Sequence, residues 1–206
     1  MNFALLSAFI PTFFFVSVTP GMCMTLAMTL GMTIGVKRAL WMMLGELVGV
    51  AMVAILSAIG VAALLLNYPS VFVVLKYLGG AYLAYVGLQM WLSKGKMAIK
   101  ADSEESKPAS RLDLISQGFV TAIANPKGWA FFVALLPPFL DASHSLASQL
   151  IVLISIILTL EFICLLIYAT GGRTLKSLLM QSGNVRIMNR IAGTLMIGVG
   201  VWLAIG

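Results

Sequence analysis

Long apolar runs separated by short polar connections make up nearly the whole chain, and their lengths set the first reading. A helix rises about 1.5 Å per residue against a hydrocarbon core of about 30 Å, so roughly 20 apolar residues make one crossing. Six such runs lie near residues 3–34, 40–66, 71–93, 112–140, 146–170 and 187–205. The pattern predicts an all-α, polytopic membrane protein of six transmembrane helices. Composition agrees: the 206 residues are 61% hydrophobic and only 10% charged, with a mean hydropathy of +1.04, well outside the balance of a soluble domain.

Two of the runs are interrupted. The first contains Thr19-Pro20-Gly21 and the fourth Asn125-Pro126-Lys127. Proline removes a backbone donor and clashes with the preceding turn, and carbonyls freed in hydrocarbon find no water. Such a break must be buried in protein or line a wet cavity. Thr19 and Asn125 are suitable N-cap residues, and proline favours the first helical position. Each run therefore reads as a half-helix that stops and a second that starts. A starting half-helix offers free N–H groups to a carboxylate, and the preceding half ends in carbonyls that suit an ammonium group. Together they complement an amino acid. The bland alternative is a pair of ordinary kinks, because proline is tolerated in membrane helices.

Charge inside the runs adds a second constellation. Glu46, Glu161 and Lys127 lie within apolar segments, where an ionised group at the helix centre costs at least ~2.5–3.5 kcal/mol. They are expected to face the interior and each other. Lys127 would neutralise one glutamate or bind a substrate carboxylate, and the remaining glutamate would meet an ammonium group or carry a proton. A purely structural ion pair is the alternative. Candidate substrate-binding residues are thus Thr19, Pro20, Gly21, Glu46, Asn125, Pro126, Lys127 and Glu161, with Glu46 and Glu161 the candidates for proton coupling. Glu46 sits within Gly45-Glu-Leu-Val-Gly49, a spacing that permits close helix approach.

The features recur in order. Residues 80–87 read GAYLAYVG and residues 193–200 read GTLMIGVG; the first and fourth runs share the proline break, and the second and fifth share a glutamate. One transporter domain, 1–206, is expected, with a first repeat at 1–93, a loop at 94–111 and a second repeat at 112–206. Three spans per half is an odd number, so the repeats would be inverted in the membrane, with broken first and fourth helices. Eleven of the thirteen Lys and Arg residues fall in the first, third and fifth connections. That bias predicts that 35–39, 94–111 and 171–186 are cytoplasmic and both termini external. Residues 171–190 alternate Leu and Met with basic groups, suiting an interfacial helix. The net charge of +6 is therefore an orientation signal, and no nucleic-acid partner is expected. Cys23 and Cys164 form no CxxC motif and no metal-ligand spacing. No catalytic residue, metal or cofactor is expected.

These segments resemble the lysine exporter/homoserine-threonine resistance (LysE/RhtB) family of bacterial amino-acid exporters. The resemblance rests on TPGMCM at 19–24, GMTIGVKRALWMMLGELVG at 31–49, KYLGGAYLAYVGLQMW at 76–91 and GFVTAIANPKGWAFFVALLPPFLD at 118–141, and Asn125-Pro126-Lys127 is its most specific part. Met22 stands where the family usually has a second proline. The resemblance implies export of amino acids or close derivatives, homoserine-, threonine- or leucine-like or basic, from the cytoplasm across the bacterial inner membrane, with protons as the coupling ion. The implied partners are the small-molecule substrate, protons and the lipid bilayer, and a homo-oligomer is left open. Two other readings stand beside it. A membrane thiol–disulfide electron carrier would use Cys23, close to Pro20, and a divalent-cation exporter would use the two glutamates.

Overall fold

The computed structural model describes residues 3–93, 109–136, 145–180 and 182–205. Its described residues form helices and connections throughout. The first run divides into α1 (Phe3–Val18) and α2 (Met22–Thr33), bent by 55° at the break. Two long helices follow, α3 (Val36–Asn67) and α4 (Pro69–Leu92). The fourth run divides as the proline predicts, into α5 (Arg111–Ile123) and α6 (Pro126–Leu135). The chain ends in α7 (Leu146–Met180) and α8 (Ser182–Ile205). At Gly172 (φ 44, ψ −125) α7 leaves helical geometry and then resumes over 173–180, where the sequence predicts an interfacial helix. Residues 94–108 of the expected loop, 137–140 at the end of the expected fourth span and 141–144 of the connection after it lie outside the described residues.

Among the described residues, Val36–Gly60 and Ala147–Gly172 are each long and apolar enough to cross a membrane. The bent pair Phe9–Val18 and Met22–Thr33 makes a third crossing if counted as one span. The chain is therefore an all-α, multi-span membrane protein.

Local chemistry explains the helix boundaries. Gly35 joins α2 to α3 with a φ of 82, a left-handed conformation that glycine adopts without steric cost. Ser110 and Asp113 start α5 with a reciprocal capping box: the Asp113 amide donates to Ser110 Oγ at 3.2 Å, and the Ser110 amide donates to Asp113 Oδ2 at 2.8 Å. Near this start, Arg38 donates to the Ala109 carbonyl at 2.5 Å and Arg111 lies over the Trp41 ring at 5.2 Å. Arg190 lies over Trp91 at 4.7 Å, and Asn189 donates to Ser93. The starts of α3 and α5, and separately the end of α4 and the start of α8, are thus tied together by basic and polar groups.

Glycines set the closest helix approaches. A Cβ on Gly45 would strike the backbone of Ile115 in α5, and one on Gly118 would strike the Met42 carbonyl and lie 2.8 Å from the Glu46 amide. The Gly-x-x-x-Gly expectation is met, and Gly118 supplies its partner surface. The repeated glycines of α4 and α8 meet each other in antiparallel register. A Cβ on Gly87 would lie 2.6 Å from the Gly193 carbonyl, and one on Gly200 would lie 2.5 Å from the Gly80 carbonyl. Without a hydrophobic force between helices in lipid, such backbone contact supplies the dispersion that holds them.

Buried apolar side chains form two clusters along the helices. One contains Phe9, Phe13, Val53, Phe131, Phe132 and Ile157. The other contains Met24, Ala27, Met43, Leu114, Leu165 and Tyr168. On α3, Glu46 falls between the members of the two clusters, and on α7 Glu161 does the same. Both chain breaks fall at the same transition. Ser17, Thr19, Glu46 and Glu161 thus form a polar layer between the two clusters, with Thr12, Ser57, Gln149 and Asn189 buried elsewhere.

Gly193→Ala is expected to destabilise the protein by about 1–3 kcal/mol through overpacking against backbone. Gly198→Ala on the same helix, where a Cβ meets nothing within 4 Å, should be neutral or slightly stabilising. Thermal unfolding of both variants in one detergent checks this; equal melting temperatures would contradict the seam.

Candidate functional site

Lone backbone groups at the two breaks determine how the polar layer is built. The last four carbonyls of α1 lack intrahelical partners, and three receive side-chain donors. Thr19 Oγ1 donates to the Phe15 carbonyl at 2.6 Å, Lys127 Nζ to that of Val16 at 3.0 Å, and the Tyr168 hydroxyl to that of Val18 at 2.8 Å. Two of these donors come from distant parts of the chain, α6 and α7. The end of α1 is held in place by the rest of the site.

The starts of α2 and α6 differ. At α6 the structure matches the sequence reading: Asn125 Oδ1 accepts from the Lys127 amide at 3.2 Å, and Pro126 takes the first helical position. Gly128 N donates to the Asn125 carbonyl, and Trp129 Nε1 donates to the Ile123 carbonyl at the end of α5. At α2 the reading needs correction. Thr19 turns back to α1 rather than capping α2, and Gly21 occupies the N-cap position with no side-chain hydrogen bond to the helix. Pro20 lies in the extended break, before the helix. The cause is length: three residues separate α1 from α2, so Thr19 is too far back to reach the first-turn amides. Those amides are left without a side-chain cap beside a cavity.

That cavity, of about 90 Å³, is lined by Thr19, Gly21, Glu46, Asn125, Lys127 and Glu161 among others. Six of the eight predicted residues thus share one wall, contributed by the break after α1 and by α3, α6 and α7 with the turn before α6. The remaining two, Pro20 and Pro126, line an adjoining vestibule of about 920 Å³. Thr19, Gly21, Met22, Lys127 and Phe131 line both spaces. The vestibule extends past Thr25, Thr29 and Thr121 to Gln89, Ser93 and Asn189, at the end of the molecule where α4 finishes and α8 begins. On the other side, rings of α1 and α6 pack together: Phe13 lies 5.6 Å from Phe131 and 6.1 Å from Phe132 between centroids.

The charged groups do not pair as the sequence suggests. Lys127 is committed to the Val16 carbonyl and, among the described residues, makes no ion pair with Glu46 or Glu161. Glu161, 8% exposed, accepts from Ser17 Oγ at 2.5 Å. Glu46 is 0% exposed, and neither of its oxygens has a hydrogen-bond partner. Its electrostatic neighbours are Glu161 and the Cys23 thiol.

Sequence reasoning missed Ser17 and Tyr168, and it considered Cys23 only for the thiol–disulfide alternative. Ser17 and Cys23 flank the first break, and Tyr168 lies seven residues after Glu161, on the same helix face. A search of positions in helical phase with Glu161 would have found Tyr168, whereas no charge on α1 marks Ser17. Both thiols are free and buried, and Cys164 lines neither space. Among the described residues, no group of three or more His, Cys, Asp or Glu could hold a metal ion.

A family model described as LysE type translocator matches residues 14–206. The chain is 26% identical over 197 residues to an uncharacterized membrane protein of Vibrio cholerae, covering 96% of this chain and 95% of the relative. It is 26% identical over 194 residues to the leucine efflux protein of Enterobacter sp. strain 638, covering 93% and 90%. The homoserine/homoserine lactone efflux protein of Salmonella typhi is 25% identical over 156 residues, covering 76% and 74%. No solved structure gives a significant match.

Tyr168→Phe keeps the ring and removes only the donor to Val18. Thermal unfolding should report a loss of about 1 kcal/mol for the unpaired carbonyl. An unchanged melting temperature would show that this hydrogen bond does not hold the break.

Proposed function

The chain belongs to the LysE type translocator family, and from that membership we propose that it exports amino acids or close derivatives from the cytoplasm by alternating access, driven by the proton gradient. It is a transporter rather than an enzyme. The observation that carries the reading is the shared cavity: both helix breaks, both membrane glutamates and Lys127 converge on it. An amino acid's carboxylate fits the uncapped amides at the start of α2, where the helix dipole favours negative charge. Its ammonium group fits Glu46 and Glu161. The side chain then points toward Phe131 or into the vestibule, so the substrate's size is set there.

The conformation suits one stage of transport. The vestibule leads to the end of the molecule carrying Arg38, Arg111 and Arg190, which the positive-inside rule assigns to the cytoplasm. Phe13, Phe131 and Phe132 close the opposite side. The chain would therefore be seen open inward with its outer aromatic gate shut. In this reading it lies in the bacterial inner membrane with residues 35–39, 94–111 and 171–186 cytoplasmic and both termini outside.

Six spans in two inverted halves, 1–93 and 112–206, are part of the same proposal. Its support is reciprocal packing: α3 lies against α5 and α6, α7 lies against α1 and α2, and α4 pairs with α8. The glycine contacts of α4 and α8 also fit a two-fold relation. Exchanging Gly80 with Gly193 and Gly87 with Gly200 turns the Gly80–Gly200 contact into the Gly193–Gly87 contact. Each half thus clasps the broken span of the other.

Cells preloaded by dipeptide feeding test the reading, with released amino acids measured against a deletion strain. Lys127→Ala and Asn125→Ala should each lower efflux at least about tenfold at equal protein level, because a lost oriented contact of 1.4 kcal/mol is tenfold. Wild-type efflux from both would remove the central site. Cys23→Ser combined with Cys164→Ser should keep activity, and its loss at normal protein level would favour thiol–disulfide chemistry. Impermeant labelling of a cysteine introduced within 94–108 should occur only in inverted vesicles; labelling in intact cells would reverse the orientation.

A further inference from the structure

The export reading names Glu46 and Glu161 without saying how a proton and a substrate would be coupled there. The geometry restricts the answer. Glu46 on α3 is fully buried in the cavity wall, and neither of its oxygens receives a hydrogen bond. An ionised carboxylate left in this state loses its hydration without compensation. The charged and titratable groups facing it are Glu161 from α7 and Cys23 from α2. Lys127 from α6 lies within electrostatic reach of Glu161, but its ammonium is held by the Val16 carbonyl at the end of α1. Ser17 satisfies part of Glu161. The pair of carboxylates therefore lacks donors at Glu46, and the nearest cation is engaged elsewhere.

We propose that Glu46 and Glu161 form a single monocation subsite that holds either one shared proton or the primary ammonium group of the amino acid, never both. This rests on the export reading and adds its coupling rule. A proton between the carboxylates supplies the missing donor and one positive charge. An ammonium group supplies up to three N–H donors and the same charge. Two adjacent buried carboxylates do not both stay ionised without such a cation. Binding an amino acid from the vestibule expels the proton to the cytoplasmic side. On the outer side a proton displaces the ammonium, and the protonated carrier returns. The exchange is one amino acid out for one proton in, so with a zwitterionic substrate one net positive charge enters per cycle, and no allosteric link between distant sites is needed. Lys127, tied to backbone, is excluded from the exchange, which keeps the subsite from being neutralised permanently by the protein's own cation.

Calorimetry on the purified wild-type protein tests the inference, using homoserine and the common amino acids in buffers of different ionisation enthalpy. Binding should release about one proton per amino acid at a pH where the empty pair is protonated. Across that range the apparent affinity should weaken about tenfold for each unit of falling pH, because bound protons and bound amino acid exclude one another. Glu46→Gln should abolish the proton release, and Glu46→Asp should restore it. Binding with no proton release and no pH dependence would overturn the shared subsite while leaving the export reading intact. Failure of every amino acid to bind at any pH would remove the export reading and this inference with it.

Discussion

Unpaired backbone in hydrocarbon is the constraint on which the rest of the structure depends. A membrane helix can stop at mid-depth only if its last carbonyls are given donors, and α1 obtains them from Thr19, Lys127 and Tyr168. Two of those donors reach across from α6 and α7. The break in the first span therefore helps dictate the positions of the second broken span and of the helix that carries Glu161. Water-soluble proteins can leave such carbonyls to solvent; here solvation has to come from neighbours. This explains why Ser17, Thr19, Lys127 and Tyr168 gather with the two membrane glutamates between two apolar clusters.

The two breaks are alike in sequence and different in chemistry. The second is closed by Asn125, Gly128 and Trp129, all within a few residues of Pro126. The first leaves the initial amides of α2 without a side-chain cap and places them beside two carboxylates. A positive helix end next to buried negative charge is the polarity that a zwitterion needs. A site with two identical breaks would present the same group twice and offer less selectivity for orientation. On the proposed reading, this asymmetry would let one break act as scaffold and the other as receptor.

Much of this was legible in the amino-acid sequence because it depends on period and punctuation. The helix breaks at Pro20 and Pro126, the Asn125 cap and the close approach at Gly45 and Gly49 follow from local rules that hold in any surroundings. The convergence of Glu46, Glu161 and Lys127 on one cavity was also readable, since they have nowhere else to go in an apolar chain. What the sequence could not supply was pairing. Lys127 looks like the counter-ion of a glutamate, but a carbonyl at the end of α1 competes for it, and only the packing of α6 on α1 reveals the competitor. Ser17 and Tyr168 are ordinary polar residues until the fold brings them to Glu161 and Val18. Thr19 was misread as a cap for the opposite reason, because a break of three residues rather than one moves the cap position to Gly21.

The central claim is that the first helix break and the two membrane glutamates form one amino-acid site. An experimental structure of the protein in a lipid nanodisc with a transported amino acid bound tests it most directly. The ligand's carboxylate should lie against the amides of Met22, Cys23 and Met24, with its ammonium group between Glu46 and Glu161. Ligand density confined to the vestibule near Gln89 and Asn189, with the inner cavity empty, would contradict the account.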